Sequence, residues 1–106
     1  MFVDTSASLV KSQISAMLVA YQTGSDDGEA VALDIVELIA WRMRWRDDYE
    51  VGLLGLYVRS HMVALNREAM GFALVVERLT SAAIAAPLGH GALMETLEGG
   101  LGDLLF

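Results

Sequence analysis

The sequence contains no cysteine and a single proline, Pro87. Without cysteine the chain can form no disulfide, no zinc–thiolate site and no thiol nucleophile. No uncharged apolar run reaches the ~18 residues that a membrane-spanning helix needs, so we expect no membrane insertion. The N-terminal segment MFVDTSASLV lacks the basic region of a secretory signal and carries Asp4, so no such signal is predicted. Together these absences predict a cytoplasmic protein.

Basic residues are also scarce. The chain has 7 Lys and Arg against 14 Asp and Glu, which gives a net charge of −7 at pH 7. Proteins that bind nucleic acids need clustered Lys and Arg, so nucleic acid is not expected as a partner. The sequence also lacks a phosphate-binding glycine loop, a nucleophile motif and zinc-ligand spacing. We therefore predict an acidic, non-enzymatic protein with no cofactor and no metal site.

The proline-free stretch from Tyr49 to Ala86 is predicted to be one continuous helix. Apolar residues recur there every seven positions in two series that lie four residues apart, which is the spacing of a heptad repeat. The first series is Val51, Val58, Leu65, Phe72, Leu79 and Ala86, and the second is Gly55, Met62, Ala69, Val76 and Ala83. Such a helix would be about 57 Å long. The alternative is two helices that break near Asn66–Gly71.

Two shorter helices are predicted before the long one. Apolar residues at helical spacing indicate a helix at about 6–23, ended by Gly24, and another at 27–46, capped by Asp26. Asp47 or Asp48 is expected to cap the long helix. Residues 1–98 are therefore predicted to form one all-α domain, a small helical bundle, and residues 99–106 a flexible apolar tail.

The lengths of these helices predict a homodimer. The shorter helices cannot cover the whole of the long one, and the chain is 55% hydrophobic, so we expect a subunit interface to take up apolar surface. Two long helices would pair in a coiled-coil-like, antiparallel arrangement. The predicted interface consists of Val58, Met62, Leu65, Ala69, Phe72, Val76, Leu79 and Ala83.

The segment WRMRWRDD, Trp41–Asp48, is a second candidate site. On a helix, Trp41 and Trp45 are neighbours, and Arg42 and Arg46 lie beside them within the apolar arc. Three interpretations are open. The arginines could cap helix carbonyls or pair within the subunit, the cluster could be an interface hot spot, or it could bind a small anion or apolar molecule.

Two histidines and the tail complete the candidates. We expect His61 to be a partly buried packing residue and His90 to lie in an exposed turn. The tail is predicted either to dock into a groove on a partner or to fold back over the long helix. Its candidate docking residues are Leu101, Leu104, Leu105 and Phe106.

These features predict a non-enzymatic protein–protein interaction module, such as an adaptor, a chaperone-like subunit or a protein inhibitor. It is expected to act as a helical homodimer and to bind a second protein. The alternative function is a ligand-binding regulator that holds a small anion or apolar molecule near Trp41, Arg42, Trp45 and Arg46.

Overall fold

The computed structural model of the chain describes residues 5–44 and 46–105, with the side chains of all of these except 5, 6, 103 and 105. Within these described residues five α-helices follow one another, and a short 3₁₀ turn, Ala86–Leu88, joins the last two. The helices are α1 (Thr5–Gln22), α2 (Gly28–Trp41), α3 (Asp48–Asn66), α4 (Phe72–Ala85) and α5 (His90–Leu105). All regular structure in the described ranges is helical, which confirms the predicted all-α class.

The helices pack around one core to which each of them contributes. Helix α1 contacts α2 and α4, α3 contacts α2 and α5, and α4 also contacts α5. The core side chains with no exposed surface include Ile14, Ile35, Ile39, Leu54, Leu79 and Leu97. The helix boundaries at the start of the chain follow the predictions closely. Gly24, which follows the end of α1, lies in the left-handed region, at φ 73°.

The single helix predicted for 49–86 is not what the structure shows. Helix α3 ends at Asn66 and α4 begins at Phe72, so the chain turns where the alternative prediction placed a break. The amides of Glu68 and Ala69 bond the carbonyls of Leu65 (3.2 Å) and Ala64 (2.8 Å), the two bonds of a Schellman motif. Glu68 takes the left-handed conformation of that motif, with φ at 57°.

Folding α4 back has a clear energetic reason. A continuous helix of about 57 Å would exceed the longest dimension of the molecule, which is 34 Å. The left-handed conformation of Glu68 costs on the order of 1–2 kcal/mol. Burial of Val76 and Leu79 within the same chain gains about 1.5–3 kcal/mol for each side chain, which outweighs that cost.

Helix α2 is shorter than predicted and ends at Trp41 instead of residue 46. Its last turn tightens, because the amides of Arg42 and Met43 bond the carbonyls three residues before them, at 3.0 and 3.1 Å. The predicted cap at the start of this helix is also displaced by one residue. Asp27, not Asp26, is the N-cap, and its side chain accepts a bond from the amide of Glu29 at 3.5 Å.

The predicted flexible tail from residue 99 differs from the structure too. Residues 99–105 belong to α5, and Leu101 is buried in the core. Gly100 allows this packing, since a Cβ atom at that position would lie 2.3 Å from Cε2 of Tyr57. The close approach of α5 to α3 therefore depends on a glycine in a segment whose glycines predicted a break.

Candidate functional site at the loop end

The predicted site residues that follow α2 lie at one end of the bundle, which we call the loop end. It comprises the last residue of α2, the α2–α3 loop, the first turn of α3, the Ala86–Leu88 turn and the start of α5. Asp47 fixes the start of α3, because its side chain accepts bonds from the amides of Tyr49 (2.7 Å) and Glu50 (3.4 Å). This confirms the prediction that one of the two aspartates caps the helix.

Two arginines hold the α2–α3 loop against the end of α4 and the turn that follows it. Arg42 Nε donates to the carbonyl of Ala83 at 2.9 Å, and Arg44 Nε donates to the carbonyl of Pro87 at 3.0 Å. In an α-helix the Ala83 carbonyl would accept the amide hydrogen of residue 87, which proline lacks. Arg42 supplies the missing donor. This contact favours the structural interpretation of Arg42, and the carbonyl that it caps belongs to a helix 41 residues away.

The remaining residues of the predicted cluster are placed differently. Arg46 is exposed, whereas Trp45 lies outside the described residues. Trp41 is 82% exposed at the end of α2. The structure therefore does not gather Trp41 and Arg42 into one pocket: Arg42 turns toward α4 and Trp41 faces solvent.

A buried carboxylate and a histidine, neither singled out as a site residue, meet at the same end. Glu50, in the first turn of α3, is buried, and its Oε1 accepts a hydrogen bond from Nδ1 of His90 at the start of α5. Half of the His90 side chain is exposed. The pair joins the first turns of α3 and α5. Forty residues separate the two in sequence, so no local pattern marks the contact.

The cavity beside this pair is small. It has a volume of about 10 Å³ and is lined by Met43, Arg44, Glu50, Ala86, Gly89, His90 and Leu93. That volume holds about one water molecule. An organic ligand does not fit there, so this cavity gives no support to the predicted regulator.

The loop end is also where the most exposed apolar side chains lie. Among the described residues, the three large apolar side chains with the greatest exposure are Trp41 (82%), Leu88 (71%) and Tyr49 (68%). Each belongs to a different element of the loop end. Hydrogen bonds from Arg44 to Pro87 and from His90 to Glu50 connect those elements. Exposed Trp and Tyr held on a fixed backbone are typical of protein interfaces.

The predicted dimer-interface residues are mostly inside the chain's own core. The six buried ones are Val58, Met62, Leu65, Val76, Leu79 and Ala83. Phe72 is partly buried against this core, and Ala69 is exposed in the α3–α4 turn. The uncovered helix half that led to the predicted dimer is therefore covered by the same chain.

The predicted docking residues of the tail are divided in the same way. Leu101 is buried, which favours the fold-back interpretation over docking. Leu104 is half-buried and lines a groove of about 340 Å³ between α3 and α5. The side chain of Leu105 and the whole of Phe106 lie outside the described part.

A second polar pair is buried in the middle of α3. The hydroxyl of Tyr57 donates to the carbonyl of Arg78 at 3.0 Å, and the rings of Tyr57 and His61 lie 4.3 Å apart. Nδ1 of His61 bonds the carbonyl of Tyr57 at 2.7 Å, while Nε2 has no hydrogen-bond partner among the described residues. Burial lowers the pKa of His61 and raises the pKa of Tyr57 to about 12. We expected His61 to be only partly buried.

The described part of the chain contains no group of three or more His, Cys, Asp or Glu side chains placed to hold a metal ion. None of its helices is both long and apolar enough to cross a membrane. Comparison with known proteins finds no family model, no curated protein and no solved structure that matches this chain.

Proposed function

We propose that the chain is a non-enzymatic cytoplasmic protein–protein interaction module that binds a second protein through the loop end. The observation that carries this proposal is the exposure of Trp41, which is 82%. A tryptophan side chain is costly to leave in water, and its burial supplies more binding energy than that of most other residues. Tyr49 and Leu88 at the same end add apolar contact area.

The surroundings of Trp41 support a protein partner over a small ligand. Arg44 and Arg46 are exposed at this end, and Trp, Tyr and Arg are the residue types that dominate binding energy at protein interfaces. The loop that carries them is fixed by the bonds to Ala83 and Pro87, so little ordering entropy is lost on binding. The chain is acidic overall, and these arginines favour a partner segment that carries carboxylates.

The proposed module also forms a homodimer, but the two copies do not pair through the heptad series. Most of those side chains are buried within one chain, and a dimer formed through them would have to open the core. A second copy must therefore use side chains that are exposed in the single chain.

Affinity capture from the native host with matched variants tests the proposal. Wild type, Trp41→Ser and the control Leu9→Ser are compared, since Leu9 is also exposed but lies on α1. A protein retained by wild type and the control but lost with Trp41→Ser is then purified. We expect its dissociation constant to rise by roughly 30-fold or more with Trp41→Ser, the effect of a hot-spot residue.

Retention of every bound protein by both Trp41→Ser and Tyr49→Ser would overturn the proposed surface. Each variant is first compared with wild type by circular dichroism. Trp41 and Tyr49 are exposed, so the fold is expected to survive both substitutions.

A further inference from the structure

Helices α2 and α3 form an antiparallel hairpin whose outer side carries a regular stripe of exposed residues. We call this surface the hairpin face. It consists of Glu29, Leu33 and Glu37 on α2 and of Gly52, Leu56, Arg59 and Val63 on α3. The α2 members are four residues apart, and those on α3 follow a 4-3-4 spacing, so each set lies along one side of its helix. Leu33, Leu56 and Val63 are about half exposed.

The two helices carry opposite charge on the hairpin face, with Glu29 and Glu37 on α2 and Arg59 on α3. Helix α2 has three acidic residues and no basic one. Helix α3 has Asp48 and Glu50 in its first turn, and from Val51 to its cap Arg67 it has two arginines and no acidic residue. A surface with acidic side chains on one helix beside a basic side chain on the other is complementary to a second copy of itself when the helices are exchanged.

The positions of Glu29 and Arg59 along the axis of the hairpin fit such an exchange. Glu29 Oε2 and Arg59 Nη2 lie 3.3 Å apart within the chain, so they stand at the same height on the hairpin. A two-fold axis parallel to the helices leaves heights unchanged and places α2 of one copy over α3 of the other. From that height Leu33 lies about 6 Å along α2, and Leu56 lies about 4.5 Å along α3 in the same direction.

We infer that the hairpin face is the surface through which two copies of the chain pair, with α2 of each protomer packed on α3 of its partner. The inference rests on the homodimer of the proposed function. In this arrangement Glu29 of the partner subunit meets Arg59, and Leu33 of the partner subunit meets Leu56. By symmetry each contact occurs twice.

Two further features of α3 fit a partner helix. A groove runs along each side of it, about 330 Å³ toward α2 and about 340 Å³ toward α5, and both grooves share Arg59 and Val63. Grooves beside a helix receive the side chains of a helix that packs on it. At Gly52, no atom beyond its chain neighbours and the adjoining helix backbone lies within 4 Å of the position of a Cβ, so nothing else inside the chain requires a glycine there. A helix from a second copy could approach closely at this point.

Sedimentation equilibrium on the full chain over micromolar to submillimolar concentrations tests the inference. We expect wild type to approach twice the 11.5 kDa mass of one chain. Leu56→Asp places two carboxylates in the interface and removes two leucine contacts, so the dissociation constant should rise by about 100-fold. Leu74→Asp is the matched control, because Leu74 is 42% exposed against 50% for Leu56 and lies on α4, away from the hairpin face.

Charge exchange provides a second test that does not alter the apolar contacts. Arg59→Glu should weaken the dimer by about 10-fold, because it sets like charges against Glu29. Adding Glu29→Arg should restore the affinity. Circular dichroism checks each fold, and Leu33→Asp replaces Leu56→Asp if the latter does not fold.

Two results would overturn the inference in different ways. A dimer that survives Leu56→Asp, or Leu33→Asp where that variant replaces it, would pair through another surface, and the proposed homodimer would stand. A wild-type monomer at all concentrations would remove both the hairpin-face pairing and the homodimer. Binding of a second protein through Trp41 is measured separately and is not affected by either result.

Discussion

The inner and outer sides of α3 repeat with similar spacing but have opposite surroundings. The inner side carries Leu54, Tyr57, Val58, His61, Met62 and Leu65, all buried. The outer side carries Gly52, Leu56, Arg59 and Val63, which are exposed. The polar groups differ as well. Tyr57 and His61 bond backbone carbonyls on the inner side, whereas Arg59 on the outer side forms an exposed ion pair.

This difference shows that apolar spacing alone does not tell which side of a helix is covered by its own chain. Helix α3 is amphipathic only weakly, because Leu56 and Val63 add apolar surface opposite the core. The two sides differ in the polar residues between the apolar ones: Tyr57 and His61 on the inner side are buried, whereas Arg59 on the outer side is exposed. Substitutions on each side measure how far the two sides differ in energy.

The largest difference is expected between two leucines that are two residues apart. Leu54→Ala leaves a cavity at a position with no exposed surface and should lower the free energy of unfolding by about 3 kcal/mol. Leu56→Ala, at a half-exposed position, should lower it by about 1 kcal/mol or less. Urea unfolding at low protein concentration, where the chain is monomeric, measures both. Equal losses would show that the two sides are not distinct.

A smaller loss is expected where α5 meets the inner side. Gly100→Ala forces the Tyr57 ring to move, and the bond of its hydroxyl to Arg78 resists that movement. We expect a loss of about 2 kcal/mol, typical of an overpacked core. The control is Gly99→Ala, because no atom lies within 4 Å of a Cβ at residue 99. That substitution should raise stability by up to about 1 kcal/mol. A gain from both would contradict the packing of α5 on Tyr57.

The dependence of stability on acidic pH tests the burial of His61 on the inner side. Burial holds the pKa of His61 below its ordinary value, so the unfolded chain binds this proton more readily than the folded one. Stability from the neutral ring is present above about pH 6.5 and falls as the pH decreases below it. His61→Phe should make the free energy of unfolding less dependent on pH between about 6.5 and 5. Identical slopes for wild type and variant would contradict this expectation.

The dependence of stability on alkaline pH tests the burial of Tyr57, whose ring lies next to that of His61. The pKa of Tyr57 is raised to about 12 by burial, so the folded chain keeps the phenolic proton longer than the unfolded one. The associated stability is present below about pH 10 and is lost between about pH 10 and 12. Tyr57→Phe removes this dependence and also the bond to Arg78. Absorbance of ionised tyrosine against pH, compared with that variant, identifies the late-titrating group.

The smallest effect is expected on the outer side. Gly52→Ala meets no atom of its own chain and should raise the stability of the monomer by up to about 1 kcal/mol. Thermal unfolding at low protein concentration measures this gain. A loss at high dilution would mean that Gly52 has a role within the single chain, contrary to its open surroundings.

Local signals in the sequence predict much of the fold. The two chain turns after α1 and α3 make this plain, because both are Schellman motifs. In the first, Gly24 takes the left-handed position, and its amide and that of Ser25 bond Tyr21 and Ala20 at 3.2 and 2.9 Å. Glycine at this position is a recognised stop signal, so the end of α1 could be predicted. In the second, Glu68 takes that position, and glutamate is no such signal.

The candidate site was harder to predict than the fold, because its contacts join distant residues. The exposed position of Trp41 and the cap at Asp47 follow from residues near them in sequence. The bonds of Arg42 to Ala83 and of His90 to Glu50 each span about forty residues, and helical spacing carries no information about them. The absence of an amide hydrogen on Pro87 was a usable clue that the Ala83 carbonyl needed another donor.

The turn at Glu68 also bears on how the chain can misassemble. The residues on both sides of it belong to one heptad series, so straightening this turn would join α3 and α4 into a single helix. Helix α4 would then leave its own α1, and α5 its own α3, and those of a second molecule would replace them, which is domain swapping. A swapped dimer formed by heating at high concentration would persist on dilution, whereas a dimer paired through the hairpin face would dissociate.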